Sequence, residues 1–108
     1  MSILEVFFIL TCLHFLADYP LQGEFLANGK NRKNPLPNIP WIHLMMAHCF
    51  IHGGMVYLVT ESIPLAIIEI IIHGITDDAK CSGKINYNTD QLIHIICKLF
   101  YAVLITKV

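Results

Sequence analysis

The chain has 108 residues, of which 56% are hydrophobic and 14% charged, with seven Lys and Arg against eight Asp and Glu. Its length supports one domain, and its apolar share exceeds the roughly 45–50% of soluble domains, so a membrane protein is the leading class. A net charge of -1 provides no basic footprint, which argues against nucleic acid as a partner.

Residues 3–19 are apolar apart from Glu5, His14 and Asp18, a stretch just long enough for roughly 30 Å of hydrocarbon. The stretch lacks the basic start and small-residue cleavage pattern of a signal peptide, so it is expected to persist as a first helix. Pro20 closes it. His14 and Asp18, four apart, share a face; Gln22 repeats the spacing, but the proline is expected to turn it away. Residues 22–40 hold two Gly, three Pro and the basic group Lys30, Arg32 and Lys33, which predicts a loop with a short interfacial helix around residues 24–27.

Residues 41–60 contain no Asp, Glu, Lys or Arg and form the clearest transmembrane candidate, with Trp41 as an interfacial anchor. His48 and His52 share a face, whereas His43 is turned from His48 by about 140°. Gly53 and Gly54 are expected to admit a neighbouring helix closely. Ser62 is the expected cap of a third helix over 63–78, with Pro64 in its first turn. Along that helix Glu69, His73 and Asp77 are four apart and form one ionisable stripe, while Ile70, Ile71, Ile72 and Ile75 cover the rest. Residues 79–89 make a second basic loop. Thr89 is the expected cap of a fourth helix over 90–106, on which Asp90, His94 and Lys98 repeat the four-residue spacing.

The expected fold is therefore all-α: a single integral membrane domain, 1–108, built as a four-helix transmembrane bundle. The loops 22–40 and 79–89 carry Lys30, Arg32, Lys33, Lys80 and Lys84, against little beyond Lys107 on the opposite side. The positive-inside rule then puts both loops in the cytoplasm and both termini on the non-cytoplasmic side. This topology brings the polar groups of all four helices to a similar depth near the cytoplasmic end. Counting inward from the second loop pairs Asp77 with Asp90, His73 with His94, and Glu69 with Lys98. The last pair lies roughly 12 Å in, where an unpaired charge is costly, so an ion pair is expected.

Six histidines are an unusual number for so short a chain, and His with Asp at helical spacing is the donor set of a metal site in a bundle core. The expected ligands are His14, Asp18, His48, His52, His73, Asp77 and His94. Asp18, Asp77 and Asp90 are the candidate catalytic carboxylates, and the cofactor is a divalent metal ion, with Zn first. Two metals, or one metal beside a free general base, both accommodate this number of groups. His43 reads better as an interfacial hydrogen-bonding residue. Lys80, Lys84 and the Lys30 group read as topology signals. Cys12, Cys49 and Cys97 lie in apolar runs, with no C-x-x-C pair, and are expected to be small apolar residues in packed helices, with Cys81 a reduced loop thiol.

The segments HFLADYPLQ (His14 to Gln22), HGITDDAKCSGK (His73 to Lys84) and DQLIH (Asp90 to His94) resemble an uncharacterised family of small phage and bacterial integral membrane proteins. That family's pattern is H-F-L-A-D-F-x-L-Q, then H-x-x-x-D, then D-Q-x-x-H; Tyr19 stands where it has Phe. The resemblance implies a multi-pass protein of the bacterial inner membrane, or of a host membrane if phage-encoded, and carries no activity. At the level of class only, the layout is similar to membrane-bound metal-dependent hydrolases. The expected function is metal binding at the cytoplasmic leaflet with hydrolysis of a lipid or phosphate ester. The alternative is a non-enzymatic membrane protein whose His and Asp groups form an interhelical hydrogen-bond network. The expected partners are the lipid bilayer, a lipid substrate and a second copy in a homodimer.

Overall fold

The structure, a computed structural model, describes residues 1–106; Lys107, counted above in the charge asymmetry, lies outside them. Among these residues the architecture is all-helical, with α1 (Ile3–Asp18), α2 (Gly23–Gly29), α3 (Trp41–Thr60), α4 (Ile63–Cys81) and α5 (Tyr87–Thr106). The four long helices close into a ring: α1 packs on α3 and α5, and α4 packs on the same two. Two helices, α3 and α5, are long and apolar enough to cross a membrane. The count rises to three if α1 and α2, bent by 80° at their junction, form one span.

Local chemistry sets the helix ends. Ser2 and Glu5 form a reciprocal capping box at the start of α1, each side chain accepting a 3.1 Å bond from the other's backbone N–H. This accounts for the one acid at the start of that apolar run. Ser62 caps α4 by accepting from the Leu65 N–H, with Pro64 in the first turn. Two boundaries differ from the periodicity reading. α4 continues to Cys81, so Lys80 sits on its last helical turn, where a cation complements the exposed carbonyls. α5 begins at Tyr87, three residues nearer the loop, because Asn86 Oδ1 accepts from the Thr89 N–H at 2.7 Å; Asn86, and not Thr89, does the capping.

The α3–α4 contact depends on one of the two expected glycines. A Cβ on Gly53 would meet Ile70 Cγ1 at 2.5 Å and the Ala66 carbonyl at 3.1 Å, whereas a Cβ on Gly54 would meet nothing within 4 Å. Gly53 faces α4; Gly54 is exposed.

The ring's interior is divided along its length. Val6, Leu10, Val56, Leu65, Tyr101 and Ala102 form an apolar core at the end where α1 begins and α5 ends. Toward the basic loops the interior is polar: His14, His48, His52, Glu69, His73, Asp77, Asp90, His94 and Lys98 are each at most 2% exposed. Phe8, Phe50, Leu58, Ile67, Ile71, Ile75, Ile96 and Phe100 meanwhile point outward. Polar inside and apolar outside is the reverse of a protein folded for water. All four cysteines are free thiols, with Cys49 buried and Cys12 exposed.

Candidate metal centre

Asp18 is the hub. It ends α1 one turn after His14 and is 10% exposed. Its Oδ1 lies 2.9 Å from His52 Nε2, 3.2 Å from His48 Nε2 and 3.9 Å from His73 Nε2. His48 and His52 come from one face of α3, as their four-residue spacing requires. His73 comes from α4, and its Nε2 approaches His48 Nε2 to 3.1 Å. One ligand atom from each of Asp18, His48, His52 and His73 falls within 4.8 Å of all the others, so these groups are positioned to bind a metal ion. A tetrahedral ion with bonds of about 2.0–2.1 Å has ligand–ligand edges of about 3.3 Å. The four distances above bracket that value.

His73 is held from behind. Its Nδ1 lies 3.2 Å from Glu69 Oε2, one turn earlier on α4. Glu69 Oε1 in turn accepts from Lys98 Nζ and Tyr101 Oη, both at 3.0 Å. The expected Glu69–Lys98 pair is therefore present, and it fixes the carboxylate that orients an imidazole. A second group, Glu69, His73 and His94, also has ligand atoms within 4.8 Å of one another. His94 stacks on His73 with ring centroids 4.1 Å apart, which is the matched level expected for α4 and α5.

The remaining expected residues surround this centre. His14 Nε2 contacts Gln91 Oε1 at 3.1 Å and Asp18 Oδ2 at 3.4 Å. Asp77 Oδ2 is 3.7 Å from His48 Nε2, yet it is engaged more closely by Lys30 Nζ at 2.5 Å. Asp90 Oδ1 is 3.2 Å from His94 Nε2. Asp77 and Asp90, matched by level, are bridged by Lys80 Nζ at 3.3 and 3.7 Å. His43 is exposed and apart.

Sequence reasoning missed four participants. Lys30 and Lys80 do more than signal topology, since Lys30 is buried against Asp77 and Gln22. Gln22 also returns to the site, donating to the Asp18 carbonyl. Gln91 donates to Asp18 Oδ2 at 2.9 Å and Asp90 Oδ2 at 3.1 Å; its place inside the DQLIH segment was the available signal. Nothing periodic marks Lys30, which the chain delivers from beyond α2. At the mouth, Tyr19 and Tyr87 share a hydrogen bond.

The electrostatic balance is informative. Asp18, Glu69, Asp77 and Asp90 face the ammoniums of Lys30, Lys98 and the partly exposed Lys80, which leaves one negative charge unmatched inside the ring. The Nδ1 atoms of His14, His48, His52 and His94 are also buried with no hydrogen-bond partner among the described residues. Buried polar atoms without partners are uncommon, and an ion held at the Nε2 atoms would not satisfy these.

Residues 6–108 match the model of a family described as a protein of unknown function, DUF3307. No curated protein matches the chain, and no solved structure does.

Proposed function

Because the chain belongs to that family of unknown function, its activity has to be read from the site, and we propose that it is a metal-dependent hydrolase of the bacterial inner membrane. The observation that carries this reading is the convergence of Asp18 Oδ1 with the Nε2 atoms of His48, His52 and His73. Zinc suits three imidazoles and one carboxylate. Held by three of these four groups, such an ion would keep its fourth position for a water and lower that water's pKa to near neutrality.

The chain's own groups have distinct tasks in this scheme. Glu69, pinned by Lys98 and Tyr101, holds the tautomer of His73 that leaves Nε2 free to ligate. Gln91 restrains the second oxygen of Asp18. His48 crosses His52 at 78° and His73 at 65°, and its Nε2 lies 3.1 Å from that of His73. His52 and His73 are stacked with ring centroids 3.7 Å apart and planes 23° apart. Asp77, 3.7 Å from His48 Nε2, is the candidate proton acceptor, and its pairing with Lys30 and Lys80 weakens it as a base.

The membrane placement supports a substrate at headgroup depth. In this reading all four long helices span, with their apolar residues facing lipid, and α2 lies along the interface after the 80° bend. The molecule is 47 Å long, against about 40–45 Å for a bilayer with its headgroups. The basic loops face the cytoplasm, both termini lie outside, and a phage-encoded copy would occupy a host membrane. Asp18, the most exposed member of the centre, opens toward the loop end, where a lipid or phosphate ester would be met.

A second reading, a non-enzymatic interhelical network, draws on the fact that each buried carboxylate already has partners. The convergence of one carboxylate oxygen and three Nε2 atoms within 4.8 Å favours the metal reading over it. Elemental analysis of detergent-purified protein decides between the two. One equivalent of metal is expected, lost in His52→Ala and Asp18→Ala and kept in His43→Ala, with chelators abolishing hydrolysis of a phosphate ester. Purified protein without metal would sink the hydrolase reading.

A further inference from the structure

We infer that the groove between α3 and α4 holds one acyl chain of a membrane phospholipid, with the lipid phosphate on Arg32. The inference rests on the membrane placement proposed above and is independent of the metal. The groove has a volume of about 360 Å³ and is walled by Trp41, Met46, Phe50, Ile71 and Ile75, with Gly74 opening its floor. Gly74 keeps that floor low, since a Cβ there would already touch Cys49 Sγ at 3.4 Å. An apolar slot on the outer face of a spanning helix pair can be filled by hydrocarbon but not by water.

The occupant is more than hydrocarbon because of how the slot ends. Its one charged wall residue is Asp78, and Asp78 Oδ1 accepts from Arg32 Nε at 2.8 Å. That bond uses one edge of the guanidinium. The Nη groups make no hydrogen bond among the described residues, and the Arg32 side chain is 33% exposed. A guanidinium anchored through Nε presents its remaining donors as a planar fork, the geometry that suits a phosphate. Lys33, exposed next to it, adds charge of the same sign. An apolar slot that runs into a cationic fork matches an amphiphile with a long chain and an anionic head.

Trp41 is the chain's single tryptophan and lines the groove, so it reports occupancy directly. Protein in nonionic detergent is titrated with brominated phosphatidate and, separately, with brominated diacylglycerol, which has the chains but no phosphate. Phosphatidate should quench Trp41 at about tenfold lower mole fraction. Arg32→Ala should erase that preference, Arg32→Lys should restore only part of it, and Gly74→Leu should weaken quenching by both lipids. Equal quenching by the two lipids, a preference that survives Arg32→Ala, or quenching indifferent to Gly74→Leu would each overturn the assignment. Metal content measured on the same samples reports the hydrolase reading separately, and Arg32→Ala should leave it unchanged.

Discussion

Glu69 shows how one residue can serve stability and chemistry together. It is 1% exposed and bound by Lys98, Tyr101 and His73. Breaking a buried pair by removing one partner costs about 3–5 kcal/mol, but the two partners are not equivalent here. Lys98→Met leaves Glu69 with Tyr101 and His73, whereas Glu69→Gln leaves the Lys98 ammonium with no anion. Chemical denaturation should therefore show Glu69→Gln as the more damaging change, with the double variant recovering much of the loss. Single losses that simply add would mean that the two side chains are not coupled. Metal titration separates the second role: Glu69→Gln should weaken affinity about 10- to 100-fold through His73, and Lys98→Met much less. Equal weakening by both would remove the orienting role from Glu69.

At the scale of the element, the two neighbouring glycines of α3 have opposite jobs. Replacing Gly by Ala inside a helix gains up to about 1 kcal/mol from propensity. At Gly54 nothing opposes that gain, so Gly54→Ala should stabilise. At Gly53 the new Cβ presses on Ile70 and on the Ala66 carbonyl, and overpacking costs about 1–3 kcal/mol. The clash outweighs the propensity, and Gly53→Ala should destabilise by about 1 kcal/mol, read from the denaturation midpoints of the pair. The α5 cap gives an independent check. Asn86→Ala should cost about 0.5–2 kcal/mol and Thr89→Ala little, and a reversal would restore the cap to Thr89.

For the whole molecule, the polar centre and the basic loops occupy the same end, so orientation in the membrane decides which compartment the site serves. A chain whose four cysteines are replaced by Ala and that carries Asn88→Cys, an exposed position at the start of α5, places one thiol beside the second loop. An impermeant thiol reagent should leave it unlabelled in intact cells and label it in inverted vesicles. Labelling from outside would invert the topology and move the proposed substrate to the other leaflet.

The sequence by itself determined that the chain is helical with two candidate spans at least, that its histidines and carboxylates lie on common faces, and that it belongs with an uncharacterised family. Those properties follow from period and composition, because His73 one turn after Glu69, or His52 one turn after His48, share a face in any α-helix. The pairing of Glu69 with Lys98 was also legible, since counting inward along antiparallel helices fixes their depth. What period cannot encode is which faces meet. Only the tertiary structure decided that Asp18 is the hub, that Asp77 turns to Lys30 and Lys80 while His48 turns to Asp18, and that Lys30 leaves its loop for the interior. Those choices depend on how four helices close into a ring and on where the bend after Pro20 delivers the next segment. Both are set by packing between residues far apart in the chain.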